Sequence, residues 1–476
     1  MSATILGLIV YVVLHVAVIV RALTVEGKEP ASRAAWILVL LFLPVVGIAI
    51  YLLFGEPWVG RSSRKKAGNA ASELAAKLRA FEVSALDAVP ERFQPVFRTC
   101  EALARCAVGA GNSATLSADS NAAIDAMVED FDKARETIHI SFYIWLTDRN
   151  GTRVAEALQR AARRGVVCRV IVDGVGSRAL TRSECWSAMR GAGVRLCTSM
   201  KLFRGRLLFL GKRMDLRNHR KIVVVDNRIT WCGSQNCADP EFRIKPRFAP
   251  WVDIMLRFEG SVALQNQLLF ASDWMAEAGE DLGALMVAPS SNREGFPAIA
   301  FGTGPTSPRG AMSDVFASLM FCAEREVVIS NPYFVPDPPL LAALIGCARR
   351  GVETTLILPK RNDAWVVGAI SKAYYVGLVD AGVRLFEFRD GLLHAKTLIV
   401  DGKAALIGSA NMDRRSLELN FENNILLYSP DVANAIRQRQ NAWLADSDAI
   451  SPALVKRRPL LRRIGDNIAT LFGPIM

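Results

Sequence analysis

The chain has 476 residues, enough for two or three domains, and 51% of them are hydrophobic, which excludes a disordered or low-complexity protein. A mean hydropathy of +0.22 falls short of a polytopic transporter. The 58 Lys and Arg against 46 Asp and Glu leave +12, so the partners to expect are anionic: nucleic acid, anionic lipid or a phosphorylated substrate.

At the amino end, Ala3 to Val20 carries no formal charge and 15 of its 18 residues are apolar, and Ala34 to Phe54 is uncharged with 19 of 21 apolar. A bilayer core of about 30 Å needs roughly 20 apolar residues in a helix, so both runs predict spans joined as a helical hairpin over residues 1–60. Pro44 and Gly47 predict a kink in the second. A hairpin returns the amino terminus to the side of the following body. Three Lys/Arg lie in the link, and Arg61, Arg64, Lys65 and Lys66 follow the second run, which leans toward a cytoplasmic body. Nine cysteines without disulfide-like spacing point the same way, to free thiols in a reducing compartment. Residues 61–110 are rich in Ala, Leu, Lys and Glu and predict a helical connector.

The remainder repeats itself. Ile138–Trp145 resembles Val327–Phe334, Ala162–Val166 recurs at Ala348–Val352, and Ala192–Leu196 recurs at Ala381–Leu385. His219-Arg-Lys221 then recurs as His394-Ala-Lys396, with 14 extra residues before the first copy's histidine. Each copy reads as strand, helix, strand, helix, strand and hairpin, with Cys168–Val172 and Thr354–Leu358 as β-branched strands. That alternation predicts an α/β layer fold with a largely parallel sheet, in two pseudo-symmetric domains at 111–290 and 291–476.

The chemistry concentrates at the end of each copy. His219, Lys221 and Asp226 match His394, Lys396 and Asp401 in spacing. Residues two apart on a strand share a face, so each imidazole can project beside an ammonium. Asp226-Asn227 and Asp401-Gly402 are hairpin-turn signals, so both aspartates, counted with the histidines and lysines in the catalytic set, lean toward bracing those hairpins. Gly233-Ser234 and Gly408-Ser409 follow seven residues after each Asp, then Asn236 and Asn411. Two lysines can neutralise phosphoryl oxygens, Ser234, Asn236, Ser409 and Asn411 add neutral donors, and two imidazoles can divide the roles of nucleophile and general acid on a phosphodiester. The lysines supply the positive charge, so neither a metal nor another cofactor is called for, and a lysine beside each histidine repels a cation. Each imidazole needs an acceptor to orient it. Glu422 is the candidate for His394 and Asp253 for His219. His139 is expected to pack in or beside the sheet and His15 to lie in a span.

Quoted together, Asn218–Lys221 (NHRK), Asn331–Pro336 (NPYFVP), Leu393–Lys396 (LHAK), Gly408–Ser416 (GSANMDRRS) and Asn420–Glu422 (NFE) resemble the phospholipase D superfamily, and within it the bacterial cardiolipin synthases of the phospholipase D type. The resemblance covers essentially the whole chain, with Gly233-Ser234 standing where that family commonly has two glycines. It implies two phospholipase D-like α/β/α sandwich domains behind a two-helix transmembrane hairpin. It also implies transphosphatidylation: one phosphatidylglycerol gives its phosphatidyl group to His219 and releases glycerol, and a second attacks the phosphohistidine to give cardiolipin. His394 would serve as acid and then base, although pseudo-symmetry allows the reverse order. A hydrolase, another phosphatidyltransferase and a nuclease of the superfamily are the competing activities.

The positive charge is local. Segment 61–66 carries +4, the insertion Cys197–Arg217 carries +5 with an apolar run at Leu207–Leu210, and Lys456–Met476 carries +4. Basic segments with apolar tips fit an anionic bilayer better than nucleic acid, so the expected partners are phosphatidylglycerol and other anionic lipids, at the bacterial inner membrane.

Overall fold

The computed structural model describes residues 2–473 apart from 27–28, 57–60, 82, 201–214, 287–293, 457–458 and 472. The amino-terminal region holds α1 (Ala3–Thr24), α2 (Pro30–Phe42) and α3 (Pro44–Phe54), followed by α4 (Arg61–Arg79) and α5 (Gln94–Ala104). The expected single helix over Ala34–Phe54 is instead two. They fold back on one another at Leu43, because Pro44 has no N–H for the preceding turn and leaves Leu43 outside helical geometry (φ −126°, ψ 64°). Trp36 of α2 and Tyr51 of α3 meet edge to face at 5.2 Å, which a continuous helix, merely kinked, would hold roughly 22 Å apart. Only α1 among the described residues is both long and apolar enough to cross a bilayer.

The first half of the body contributes β1 (Gly109–Leu116), β2 (Thr137–Phe142), β3 (Val167–Asp173), β4 (Arg195–Ser199), the short β5 (Arg217–Asn218), β6 (Ile222–Val225), β7 (Ile229–Gly233), the short β8 (Trp251–Val252) and β9 (Met255–Glu259). The second contributes β10 (Phe296–Thr303), β11 (Glu326–Ser330), β12 (Glu353–Pro359), β13 (Arg384–Phe388), the short β14 (Leu392–Leu393), β15 (Thr397–Val400), β16 (Ala404–Gly408), β17 (Asn420–Tyr428) and β18 (Ser447–Ile450). The helices among them are α6 (Ser120–Lys133), α7 (Arg149–Arg163), α8 (Glu184–Gly191), α9 (Ser261–Ala278), α10 (Ala311–Phe321), α11 (Pro338–Arg349), α12 (Trp365–Asp380), α13 (Arg414–Glu418) and α14 (Pro430–Ala445), with α15 (Pro452–Lys456) and α16 (Leu460–Thr470) at the carboxy end.

One sheet runs through both halves in the order β18-β13-β12-β11-β15-β16-β17-β10-β1-β9-β7-β6-β2-β3-β4. Apart from β18 the order is the same from either end, with the antiparallel pair β10 and β1 at the centre. The sheet is mixed, not largely parallel. Parallel pairing along it is confined to β2-β3-β4 and β11-β12-β13, where a helix separates each consecutive pair of strands. From each histidine motif onward the chain turns in tight hairpins, which yield antiparallel neighbours. Asp226 and Asn227 take φ of 50° and 54°, and Asp401 and Gly402 take 54° and 65°, the two successive left-handed residues of a type I′ turn.

Strands such as β6 (Ile-Val-Val-Val) are buried along their whole length, as β-branched runs covered on both faces should be. One face carries a core shared by both halves, in which Leu264 and Leu268 of α9 meet Ile222 and Val224 from one side and Ile299 and Phe301 from the other. Leu74, Ala75 and Leu78 of α4 join the same core, so the connector is fastened to the body. On the opposite face the first half has a core under α6, α7 and α8, while a second core under α14 also takes in Cys232, Leu256 and Phe258 of the first half.

Candidate active site

The two-residue strands β5 and β14 stand immediately before the histidine motifs, and each pairs with the opposite half. Arg217 lies opposite Asn420 and Asn218 opposite Phe421 in one parallel pair. Leu392 lies opposite Trp251 and Leu393 opposite Val252 in the other. Continued by one residue, that register sets His219 against Glu422 and His394 against Asp253. Backbone bonds carry it on: His219 N donates to Phe421 O at 2.9 Å and His394 N to Val252 O at 2.8 Å.

The side chains follow. His219 Nδ1 lies 2.8 and 3.0 Å from the two Glu422 carboxylate oxygens, and His394 Nδ1 lies 2.6 Å from Asp253 Oδ1. The expected assignment, Glu422 to His394 and Asp253 to His219, is therefore exchanged between the halves. Strand order explains it. Within one half β7 separates β6, which follows the histidine, from β9, which follows the carboxylate. A partner in the same half would stand two strand spacings away, roughly 9.6 Å.

The serines support carboxylates, where donors to phosphate were expected. Ser234 Oγ donates to Asp253 Oδ1 at 2.6 Å, and Ser409 Oγ donates to Glu422 Oε2. Ser416 of α13, which spacing did not single out, donates to Glu422 Oε1 at 2.7 Å. Asn236 Oδ1 accepts the Ile144 N–H at 3.3 Å, while Asn411 Oδ1 is buried without a hydrogen-bond partner. Asn423 was also missed. Its side chain accepts from Lys221 N at 2.8 Å and donates to Lys221 O at 3.2 Å, clamping the first motif from the other half.

Asp226 and Asp401 are not at this site. The Asp226 carboxylate accepts the N–H groups of Arg135, Glu136 and Thr137 at 2.8–2.9 Å. Asp401 accepts those of Glu324, Arg325 and Glu326 and meets Arg92 at 2.9 Å. Each braces the start of the adjacent antiparallel strand, β2 or β11, about five residues or roughly 16 Å along the chain from its lysine. His139 is buried in β2 between Gln267, 2.7 Å from Nδ1, and Arg169, 3.1 Å from Nε2. Within α1, His15 Nδ1 lies 3.1 Å from Tyr11 Oη.

Both lysines curl back on their own motifs. Lys221 Nζ donates to His219 O at 2.8 Å and Lys396 Nζ to His394 O at 2.6 Å. Tyr143 packs edge-on to His219 at 5.0 Å and under Lys221 at 5.7 Å, and Trp251 packs on His394 at 4.6 Å. Burial in this apolar shell, with two ammonium groups at hand, pushes both imidazoles down to about 4 and holds them neutral. Burial also lowers Lys221 to about 8 and Lys396 to about 7. Against burial, which raises them, the bonded histidine and then the neighbouring lysine hold Asp253 at about 2 and Glu422 below its ordinary value, so both acceptors stay ionised. Asp413, the N-cap of α13, is raised to about 6 by burial. A neutral imidazole that donates Nδ1–H to a carboxylate presents a free Nε2 lone pair. Two such groups beside two cations can trade a phosphoryl group and a proton.

Among the described residues no group of three His, Cys, Asp or Glu is placed to share a metal ion. Residues 201–214 of the basic insertion expected to meet lipid, with Arg204, Arg206, Lys212, Arg213 and Leu207–Leu210, lie outside the described residues.

Residues 127–245 and 317–443 match the family described as cardiolipin synthase, PLD-like domain, and residues 7–56 match a phospholipase D-nuclease N-terminal family. Cardiolipin synthase A of Edwardsiella ictaluri is 33% identical over 471 residues, covering 97% of this chain and 96% of its own. That of Citrobacter koseri is 34% identical over 475 residues, covering 98% and 97%. In fold, the chain is similar to the crystal structure of phosphatidylserine synthase from Haemophilus influenzae, with a TM-score of 0.59 and 13% identity over 80% of this chain and 100% of that one.

Proposed function

The chain belongs to the cardiolipin synthase family of phospholipase D-like proteins and is a phosphatidyltransferase, and we propose that its paired site moves a phosphatidyl group from one phosphatidylglycerol to another. The observation that carries the site assignment is the exchanged pair of imidazole–carboxylate bonds, His219 with Glu422 and His394 with Asp253. The phosphodiester anion settles between Lys221 and Lys396, whose charges offset the build-up of negative charge on phosphorus. His219 Nε2 attacks phosphorus and the bond to the glycerol oxygen breaks. His394 gives that oxygen its Nε2 proton, so glycerol leaves neutral and a phosphohistidine remains. A glycerol hydroxyl of the second lipid then gives its proton to His394 and attacks phosphorus, which releases His219 and completes cardiolipin. His394 rests neutral in the empty site, so the arriving anion must raise its proton affinity before it can serve as an acid. The family resemblance assigns the nucleophile to His219. Asp226 and Asp401 act as braces, and residues 111–290 and 291–476 form the two catalytic domains.

The body faces the cytoplasm and works on the membrane surface. Support comes from α16, whose Leu460, Leu461, Ile464 and Ile468 are exposed beside the basic tail, as is Leu471 just past its end. Incubation with phosphatidylglycerol labelled in its glycerol headgroup, in mixed micelles, tests the reaction. Cardiolipin and free glycerol in equal amounts are expected, and phosphatidic acid as sole product would overturn the synthase assignment.

A further inference from the structure

The three apolar helices at the amino end have their polar ends gathered on one side. Arg21, in the last turn of α1, makes a two-pronged bond to Glu56, just past α3, at 2.8 and 2.9 Å. Tyr51 of α3 donates to the same carboxylate at 3.1 Å. Arg33, in the first turn of α2, donates to Val25 O at 3.0 Å, just past α1. In two complete antiparallel spans Glu56 would lie beside the first turn of α1, about 30 Å from Arg21.

Length agrees. The 22 residues of α1 rise about 33 Å, the 13 of α2 about 20 Å and the 11 of α3 about 16 Å. Neither of the last two reaches across a core of about 30 Å. Gly47 makes their close packing possible, since a Cβ there would stand 2.7 Å from Val39 O. The hairpin's outer surface is apolar and exposed at Leu41, Phe42, Val45, Val46 and Leu52, as a surface facing acyl chains should be. The loop end is tied to the body, because Glu29 forms a two-pronged bond with Arg414 of α13 at 2.7 and 2.8 Å.

We infer that α1 crosses the bilayer once while α2 and α3 form a re-entrant hairpin that dips into one leaflet and returns, so that the amino terminus and the catalytic body lie on opposite faces of the membrane. The inference rests on the membrane reading above and sharpens it. The three basic residues between 21 and 33 and the four between 61 and 66 then fall on one side, where two full spans would divide them three against four. Arg61 follows Glu56 by five residues, at most about 18 Å of chain, too short to cross back. Seven basic residues on one side mark that side as cytoplasmic. The hairpin also brings the leaflet surface beside α13, whose Ser416 holds Glu422, so the site takes its lipids from the leaflet into which the hairpin dips.

Different epitopes placed at the two ends of the full chain test this by protease protection in spheroplasts and in inverted membrane vesicles. The carboxy end belongs to the body, since Ala469 of α16 packs on Val335, Val367 and Ile370. The amino tag should be cleaved only in spheroplasts and the carboxy tag only in inverted vesicles. Loss of both tags in the same preparation would place both ends on one face and overturn the re-entrant arrangement. Release of the intact chain by alkaline carbonate would overturn instead the membrane reading on which it depends, so the two failures are distinguishable.

Discussion

His219 and Glu422 are 203 residues apart and meet at 2.8 Å, while His394 meets Asp253 from 141 residues away. Each imidazole is thus oriented by a carboxylate of the opposite domain. Replacing Glu422 by Gln keeps the shape but removes the acceptor that fixes the tautomer of His219. Glu422→Gln and Asp253→Asn should each lower the rate of glycerol release by as much as about 10⁴, the loss seen when such an orienting carboxylate is neutralised. The double variant should lose far less than the product of the two, because both act in one proton transfer unit. Less than a tenfold loss in either single variant would contradict the assignment.

The pH profile follows from burial. The free-enzyme lysines at about 7 and about 8 are charged below those values and neutral above them. The imidazoles at about 4 are nucleophilic above that value and protonated below it. So kcat/KM should fall as pH rises, first because His394 must take up a proton when the anion binds and then more steeply above about pH 7 as Lys396 and Lys221 deprotonate. The bound phosphodiester stabilises the ammonium forms, so the alkaline limb of kcat should lie higher than that of kcat/KM. Lys396→Arg, with a group that does not deprotonate, should lower the rate yet push its share of the alkaline limb beyond the measurable range.

Asp401 and Asp226 should separate stability from chemistry. Asp401→Asn weakens charge-assisted bonds to three backbone N–H groups and the pairing with Arg92, a loss of about 2–3 kcal/mol. The expected outcome is a Tm lower by several degrees with the turnover of the folded enzyme within about threefold of the parent. The folded Asp401 titrates below the unfolded value of about 3.9. Its contribution is therefore complete at neutral pH and disappears as pH falls through the folded value, a difference that scanning calorimetry of the two proteins at pH 7 and pH 3 would register.

The strut between Glu29 and Arg414 should matter on membranes. Arg414→Ala should reduce turnover of phosphatidylglycerol in vesicles several-fold and leave the Tm of the body nearly unchanged. Pairing Glu29→Arg with Arg414→Glu should restore most of the loss if the ion pair itself carries the effect.

Much of the site was legible because duplication writes the motif twice. The His-x-Lys pairs, the hairpin aspartates and both carboxylates are all present as spacing. What spacing does not encode is which copy serves which. Under a pseudo-two-fold axis, pairing within a half and pairing across halves use the same residues, and only the strand order β6-β7-β9 decides between them. Ser234 and Ser409 were legible as polar groups near the motifs, but not that they face carboxylates. The second apolar run was misjudged for a related reason. Hydropathy reports that 21 residues prefer lipid, whereas the reversal at Leu43 depends on one proline and on the packing of Gly47 against Val39.

The exchange of carboxylates also bears on descent. A single half holds a histidine without its acceptor and an acceptor without its histidine. A half-length ancestor could have assembled this site only as a symmetric dimer, joined edge to edge where β1 and β10 now meet. Fusion of the two copies then freed each to vary. Ala395 now stands where the first copy keeps Arg220, bonded to Asp273 at 2.7 Å, a divergence that two chains encoded by one gene could not have reached.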